Sequence, residues 1–167
     1  MSIVALCVIP IAVSACSSPS KPSTITTTST ASASDRTLCT TIQPTQIGVT
    51  TGLQVSPAQT TSTKSTVTCT YKGTDPSKSV IILYGIDVTS SEFTSQATEA
   101  NSQHGPIVRL NNLGDASYYF TVPSNGATIT TLVVLHGQAE IVITSTAPAT
   151  ANENLAQLIL FGFSRQG

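Results

Sequence analysis

The residues in this chain best suited to chemistry are its cysteines. Cys16 follows Val13-Ser14-Ala15 at the end of an apolar run. Small residues before such a Cys form a lipobox, where a signal peptidase cuts and the thiol receives a diacylglycerol group. Cys7 lies inside the run and leaves with it, so Cys39 and Cys69 remain, and two thiols allow one internal pairing. In an oxidising envelope a disulfide is the default; it closes a loop of about 30 residues, worth about 3–4 kcal/mol in the chain-entropy description. Free or reactive thiols are the rival reading. A metal or redox pair has little support, because there is no Cys-x-x-Cys and both His residues are remote in sequence.

The remaining polar candidates read more readily as structure than as chemistry. Asp115, in Leu113-Gly114-Asp115-Ala116, could line a site beside Tyr118 and Tyr119. Gly-Asp is also turn chemistry, with the carboxylate bonding nearby amides, and that role is expected. His136 precedes Gly137 at a hairpin tip. His104 precedes Gly105-Pro106 at a helix end, where it meets terminal carbonyls or solvent. Glu92, Glu99, Glu140 and Glu153 are expected at solvated positions on helix starts, a helix face or a strand. The chain has no HExxH, no GxSxG, no calcium-loop pattern and no glycine-rich phosphate loop. No catalytic residue, metal or cofactor is therefore expected. Tyr71, Tyr84, Tyr118, Tyr119 and Phe120 form an aromatic set that suits a half-buried sheet face. The alternative is the wall of a cavity for an apolar or glycan ligand.

Three segments must carry these groups. Residues 1–15 read as a signal peptide, since the apolar stretch Ile3–Val13 is about 11 residues long and a membrane span needs about 20. Plain secretion with an incidental Cys, or a retained anchor helix, are the alternatives. No Lys or Arg precedes Cys16, whereas such leaders begin with a positive segment, so a longer native start is expected. Residues 16–36 are rich in Ser, Thr, Pro and Ala without apolar periodicity, and read as a tether of unknown glycosylation. Residues 37–167 read as one folded domain.

Within that domain Pro44 opens a helix carrying Ile47, Val49 and Leu53, with Gly52 near its end. Strands are expected over Thr66–Lys72 and Ser79–Val88. Thr89 and Glu92 have capping-box spacing, and Phe93, Ala97 and Ala100 mark the helix that follows. A short strand at Ile107–Leu110, a strand at Ala116–Val122, a turn at Pro123–Gly126 and a hairpin of Ile129–Leu135 with Ala139–Ser145 come next. Thr150 and Glu153 repeat the capping spacing before a last helix with Leu155, Leu158, Ile159 and Phe163 on one face. The predicted fold is α+β, in the order α-β-β-α-β-β-β-α, with one antiparallel sheet of about five or six strands and helices packed on one face.

Hydrophobic residues make up 40% of the 167 and charged residues 9%, far below the roughly 25% charged of ordinary soluble domains. The polar surface must therefore come from Ser, Thr, Asn and Gln. A net charge of −1 provides no field to recruit nucleic acid.

The domain resembles the small uncharacterised cell-envelope lipoproteins of actinomycetes and mycobacteria. The resemblance is carried by Cys39, Ile42, Pro44, Ile47 and Gly48 at the opening, and by Cys69-Thr70-Tyr71. Leu113-Gly114-Asp115-Ala116-Ser117-Tyr118, the hairpin Leu132–Gly137 and the closing helix Leu155–Phe163 complete the set. It implies an envelope location, a Cys39–Cys69 bridge, a relation to extracellular sensor-like modules and no activity. The expected role is a membrane-anchored, non-catalytic binding or interaction domain, its partner an envelope protein or a ligand. The alternative is a carrier or sensor holding a small apolar or glycan molecule between sheet and helices. Oligomeric state is not legible.

Overall fold

A computed structural model describes residues 33–75 and 77–164, the first four as backbone only. The expected leader, Cys16 and residues 17–32 lie outside the described residues. Eleven elements follow one another: α1 (Ala33–Thr40), α2 (Pro44–Thr51), β1 (Gln59–Ser62), β2 (Thr66–Tyr71), β3 (Val80–Gly85), α3 (Ser90–His104), β4 (Val108–Leu110), β5 (Ala116–Ser124), β6 (Ala127–His136), β7 (Ala139–Ser145) and α4 (Ala149–Ser164).

Local sequence explains most of these boundaries. Pro44 occupies the first turn of α2, where a missing N–H is harmless, and Gly52 caps its end. The Thr89 hydroxyl accepts the Glu92 amide at 3.2 Å, and the Glu92 carboxylate accepts the Thr89 amide at 2.8 Å, so the predicted capping box starts α3. Asn125 and Gly126 both have positive φ, 49° and 80°, as a tight two-residue hairpin turn requires. The turn is narrower than expected: Pro123 lies inside β5, paired with Thr128. It is tolerated there because β4 covers β5 only at Ser117–Tyr119, leaving that flank of the ladder open.

The described sheet has seven strands, ordered β1-β2-β3-β7-β6-β5-β4, all antiparallel. Two meanders, β1-β2-β3 and β4-β5-β6-β7, meet at the β3–β7 pair, and α3 carries the chain between them. This corrects the expected five or six strands and the expected element order. The helix α1 and the strand β1 were not foreseen, and α1 begins before residue 37, where the domain was expected to open. The strand β1 is Gln-Thr-Thr-Ser, with no apolar residue to alternate.

Helices cover both faces of the sheet, which corrects the one-faced expectation. The strand β6 shows why: Leu132, Val133, Val134 and Leu135 are all buried in succession. Successive strand residues point to opposite faces. Leu132 and Val134 pack with Cys39, Ile47, Tyr71, Leu155 and Ile159, the face covered by α1, α2 and α4. Val133 and Leu135 pack with Phe93, Ala97, Ala100 and Tyr118, the face covered by α3. The aromatic set is split accordingly: Tyr71 and Tyr84 belong to the first face, and Tyr118 and Phe120 to the second.

Two predicted helix faces are displaced. Val49 is 90% exposed, because it lies about 200° around the helix from Ile47. Leu155 and Ile159 are fully buried, but Leu158 is 38% exposed and Phe163 only half-buried. The buried stripe of α4 is centred on Asn152, Leu155, Ala156 and Ile159 instead. Asn152 sits there because the Ser145 hydroxyl donates to its Oδ1 at 2.8 Å, and its amide donates to the Thr130 carbonyl at 3.4 Å. Thr150 lies inside α4 rather than capping it; the helix opens with the Pro148 carbonyl accepting the Ala151 and Asn152 amides.

Candidate functional site

The expected disulfide is present: Cys39 at the end of α1 is bonded to Cys69 in β2, with Cα atoms 5.4 Å apart. A second tie lies beside it. The Tyr71 hydroxyl donates to the Cys39 carbonyl at 2.7 Å and lies 3.2 Å from the Ile42 carbonyl. Burial pushes the Tyr71 phenol up to about 12, so it stays a donor at any physiological pH. The bridge and the phenol together hold α1 against the sheet.

Holding α1 there creates a groove. Thr37, Leu38 and Thr41 form one wall, and the tip of the β1–β2 hairpin forms the other. That tip is tied internally: the Thr63 hydroxyl lies 2.8 Å from that of Thr66 and accepts the Ser65 and Thr66 amides. The Ile86 amide donates to the Ser65 carbonyl at 3.1 Å, which fastens the end of β3 to the hairpin. Val67 and Tyr84 form the floor. The volume is about 510 Å³, within the roughly 300–1,000 Å³ of small-molecule sites. Burial, and more weakly the neighbouring Tyr71, raise the Tyr84 phenol well above its ordinary range, so it also stays neutral. The lining can hold an apolar body and offer hydroxyls and one ammonium to a polar end.

Comparisons with protein-family models, with curated proteins and with solved structures return no match for this chain. The site therefore has to be read from its own chemistry.

The structure assigns the remaining candidates largely to local support. Asp115 is exposed, and its carboxylate accepts the Gly137 amide at 2.6 Å, which clamps one hairpin tip to another turn. Gly114 beside it has φ +66°, and a Cβ there would lie 2.7 Å from Val134 Cγ1, so only glycine fits that approach. His136 is exposed and pairs with Ala139 at the end of β6. His104 ends α3 exposed, stacked on Phe120 at 4.6 Å. Glu92 caps α3, and its two bonds from Thr89 hold its carboxyl below the usual range. Glu99 accepts the Gln103 amide at 2.6 Å on the exposed face of α3. No three His, Cys, Asp or Glu side chains gather at metal-binding distance among the described residues.

Glu140 departs from its expected solvated position. It is 7% exposed, its Oε1 has no hydrogen-bond partner, and burial raises its carboxyl pKa. It stands on the α3 face, between Gly85 of β3 and Leu135 of β6. Val88, whose amide donates to the Gln138 carbonyl, passes close by. The signal was available in sequence: four consecutive apolar residues in β6 indicate a strand buried on both faces, and the same then applies to its neighbour β7. The groove left a fainter signal, since much of its lining comes from α1 and the β1–β2 turn, which carry no apolar alternation.

Proposed function

We propose that this chain is a cell-envelope lipoprotein, acylated at Cys16, whose folded part is a non-catalytic binding domain with the α1–hairpin groove as its binding surface. One observation carries the reading: an amphipathic groove of about 510 Å³ is built where α1, the first described helix, is bolted to the sheet by Cys39–Cys69. Its lining supports binding rather than chemistry. Among the described residues it presents hydroxyls, one ammonium and apolar side chains, with no nucleophile–base pair to begin a reaction. The resemblance to envelope lipoproteins supports the location. The attachment proposed is the acyl chains on Cys16; among the described residues no helix is long and apolar enough to cross a membrane. At about 0.8 kcal/mol per buried methylene, two or more chains anchor stably where one does not.

A second reading follows from the size of the groove: a carrier or sensor for a small ligand rather than a docking domain for an envelope protein. A docking surface needs on the order of 800 Å² per partner, more than so confined a groove supplies. Native mass spectrometry of the protein purified from its own envelope distinguishes the two. A retained small mass, lost when Ile86 is changed to Asp, supports the carrier; co-purification of a protein through another face overturns the assignment of the groove. Cell fractionation of Cys16→Ala tests the anchor, and an unchanged, lipid-labelled membrane protein overturns it.

A further inference from the structure

We infer that the groove takes a single-chain amphiphile with a carboxylate head, its tail over Leu38, Val67, Tyr84 and Ile86 and its head at Lys64. This rests on the reading of the groove as a small-ligand site and names the ligand class. Three features of the lining select that class.

The first is charge. Among the described residues of the lining only Lys64 is charged, and none is an acid. An ammonium on a hairpin tip beside the hydroxyl of Ser65 favours an anionic acceptor over a cation or a neutral hydrocarbon. The second is apolar surface left in water. Ile86 is 53% exposed and Leu38 only partly buried, although both border the groove. A hydrocarbon tail covers both, and each methylene so buried contributes to affinity through the area removed from water. The third excludes sugars as the main body of the ligand. Among the described residues the one aromatic side chain of the lining, Tyr84, is 5% exposed and packs edge-on against Phe163 at 6.0 Å. That leaves little ring face for stacking. Much of the hydroxyl capacity is also already used within the fold. Thr41 donates to the Thr37 carbonyl, and Thr63 bonds Thr66 and two amides. A polyol would find few free partners, whereas one carboxylate needs few.

The test is isothermal titration of decanoate and of 1-decanol, below their aggregation limits, into the full chain carrying Cys16→Ala. Decanoate is expected to bind, and Lys64→Gln to weaken it about tenfold, roughly the worth of one charge-assisted hydrogen bond. The same change should leave decanol binding within about twofold, since no ionic contact is lost. Ile86→Asp should weaken both probes about tenfold or more through lost apolar contact. Both positions are exposed, and an unchanged unfolding midpoint confirms that the fold is retained. Failure of decanoate to bind overturns the inference. Equal affinity of Lys64→Gln and the parent for decanoate overturns the carboxylate assignment and leaves the groove as a binding site. Unchanged binding of both probes to Ile86→Asp overturns the groove itself.

Discussion

The two faces of the sheet are covered in different ways. On one, α1, α2 and α4 share the covering, and most of the large fully buried side chains lie there, including Ile47, Tyr71, Ile82, Leu132 and Ile159. Its buried polar groups are mostly paired, through Tyr71 with the backbone at the end of α1 and through Asn152 with Ser145 and Thr130; among the described residues Ser117 Oγ is the exception. On the other face a single helix, α3, contributes Phe93 and the small side chains Ala97 and Ala100. That face also holds Glu140 with one oxygen unpartnered. The contrast teaches that burial alone does not measure how much a face stabilises. The wide face combines apolar area, a covalent tie and satisfied polar groups. The narrow face receives one aromatic side chain from its covering helix, set against Tyr118 of the sheet, and carries a carboxyl whose pKa burial raises.

Four measurements can break or sharpen this contrast. The largest effect is expected from Phe93→Ala. Phe93 is 2% exposed and meets Tyr118 edge-on at 5.3 Å, and its truncation should cost about 3–5 kcal/mol in denaturant unfolding. A cost under 1.5 kcal/mol, about half that range, would mean that α3 is held by something other than its apolar stripe. Replacing Cys39 and Cys69 together by Ser should cost about 3–4 kcal/mol, mainly by freeing the unfolded chain. If the loss is within error of zero, the Tyr71 bonds and packing suffice to hold α1, and the bridge is dispensable to the wide face.

Glu140→Gln tests the narrow face through pH. The folded state raises the carboxyl pKa because burial disfavours the charge. Such a group lowers wild-type stability as pH rises from its unfolded value, about 4.3, through its raised folded value, and the deficit is constant above that. The Gln variant should therefore match the parent near pH 4 and exceed it at pH 7. A difference that does not change between those two pH values would show that Glu140 ionises freely in the fold. The smallest effect is expected from Leu158→Ala. At 38% exposed it should cost about 0.5–1 kcal/mol, near the level of a surface change. Leu155→Ala, fully buried on the same helix, should cost about 2–5 kcal/mol. Equal losses at the two positions would return Leu158 to the core stripe.

Much of this architecture could be read without coordinates, and the readable parts share a cause. The α3 capping box, the Asn125-Gly126 turn, the β6–β7 hairpin and the Pro44 start of α2 each depend on residues a few positions apart. Backbone sterics and local hydrogen bonds act at that range, so residue types alone specify them. The pairing of Cys39 with Cys69 was legible for a different reason: only two cysteines lie outside the expected leader and the proposed lipobox. Asp115 was legible as turn chemistry, although its amide partner, Gly137, lies 22 residues away.

What tertiary structure decided was which surfaces meet. The helix α3 carries the chain from β3 to β4 at the far edge of the sheet, and no pattern within α3 itself states which face it will cover. The run of apolar residues in β6 signals that Glu140's face is covered, but only the assembled structure sets Gly85, Val88 and Leu135 around it; its raised pKa belongs to that assembled face, not to the residue. The α4 stripe shifted from Leu158 towards Asn152 because Ser145 and Thr130, on two different strands, supply its hydrogen bonds. The groove joins α1, a hairpin tip and the end of β3, which are brought together by one disulfide and one phenol. Sequence determined the pieces through short-range sterics and hydrogen bonding. The groove exists only because long-range packing placed three unremarkable segments side by side, leaving Lys64 and an exposed Ile86 on a common surface.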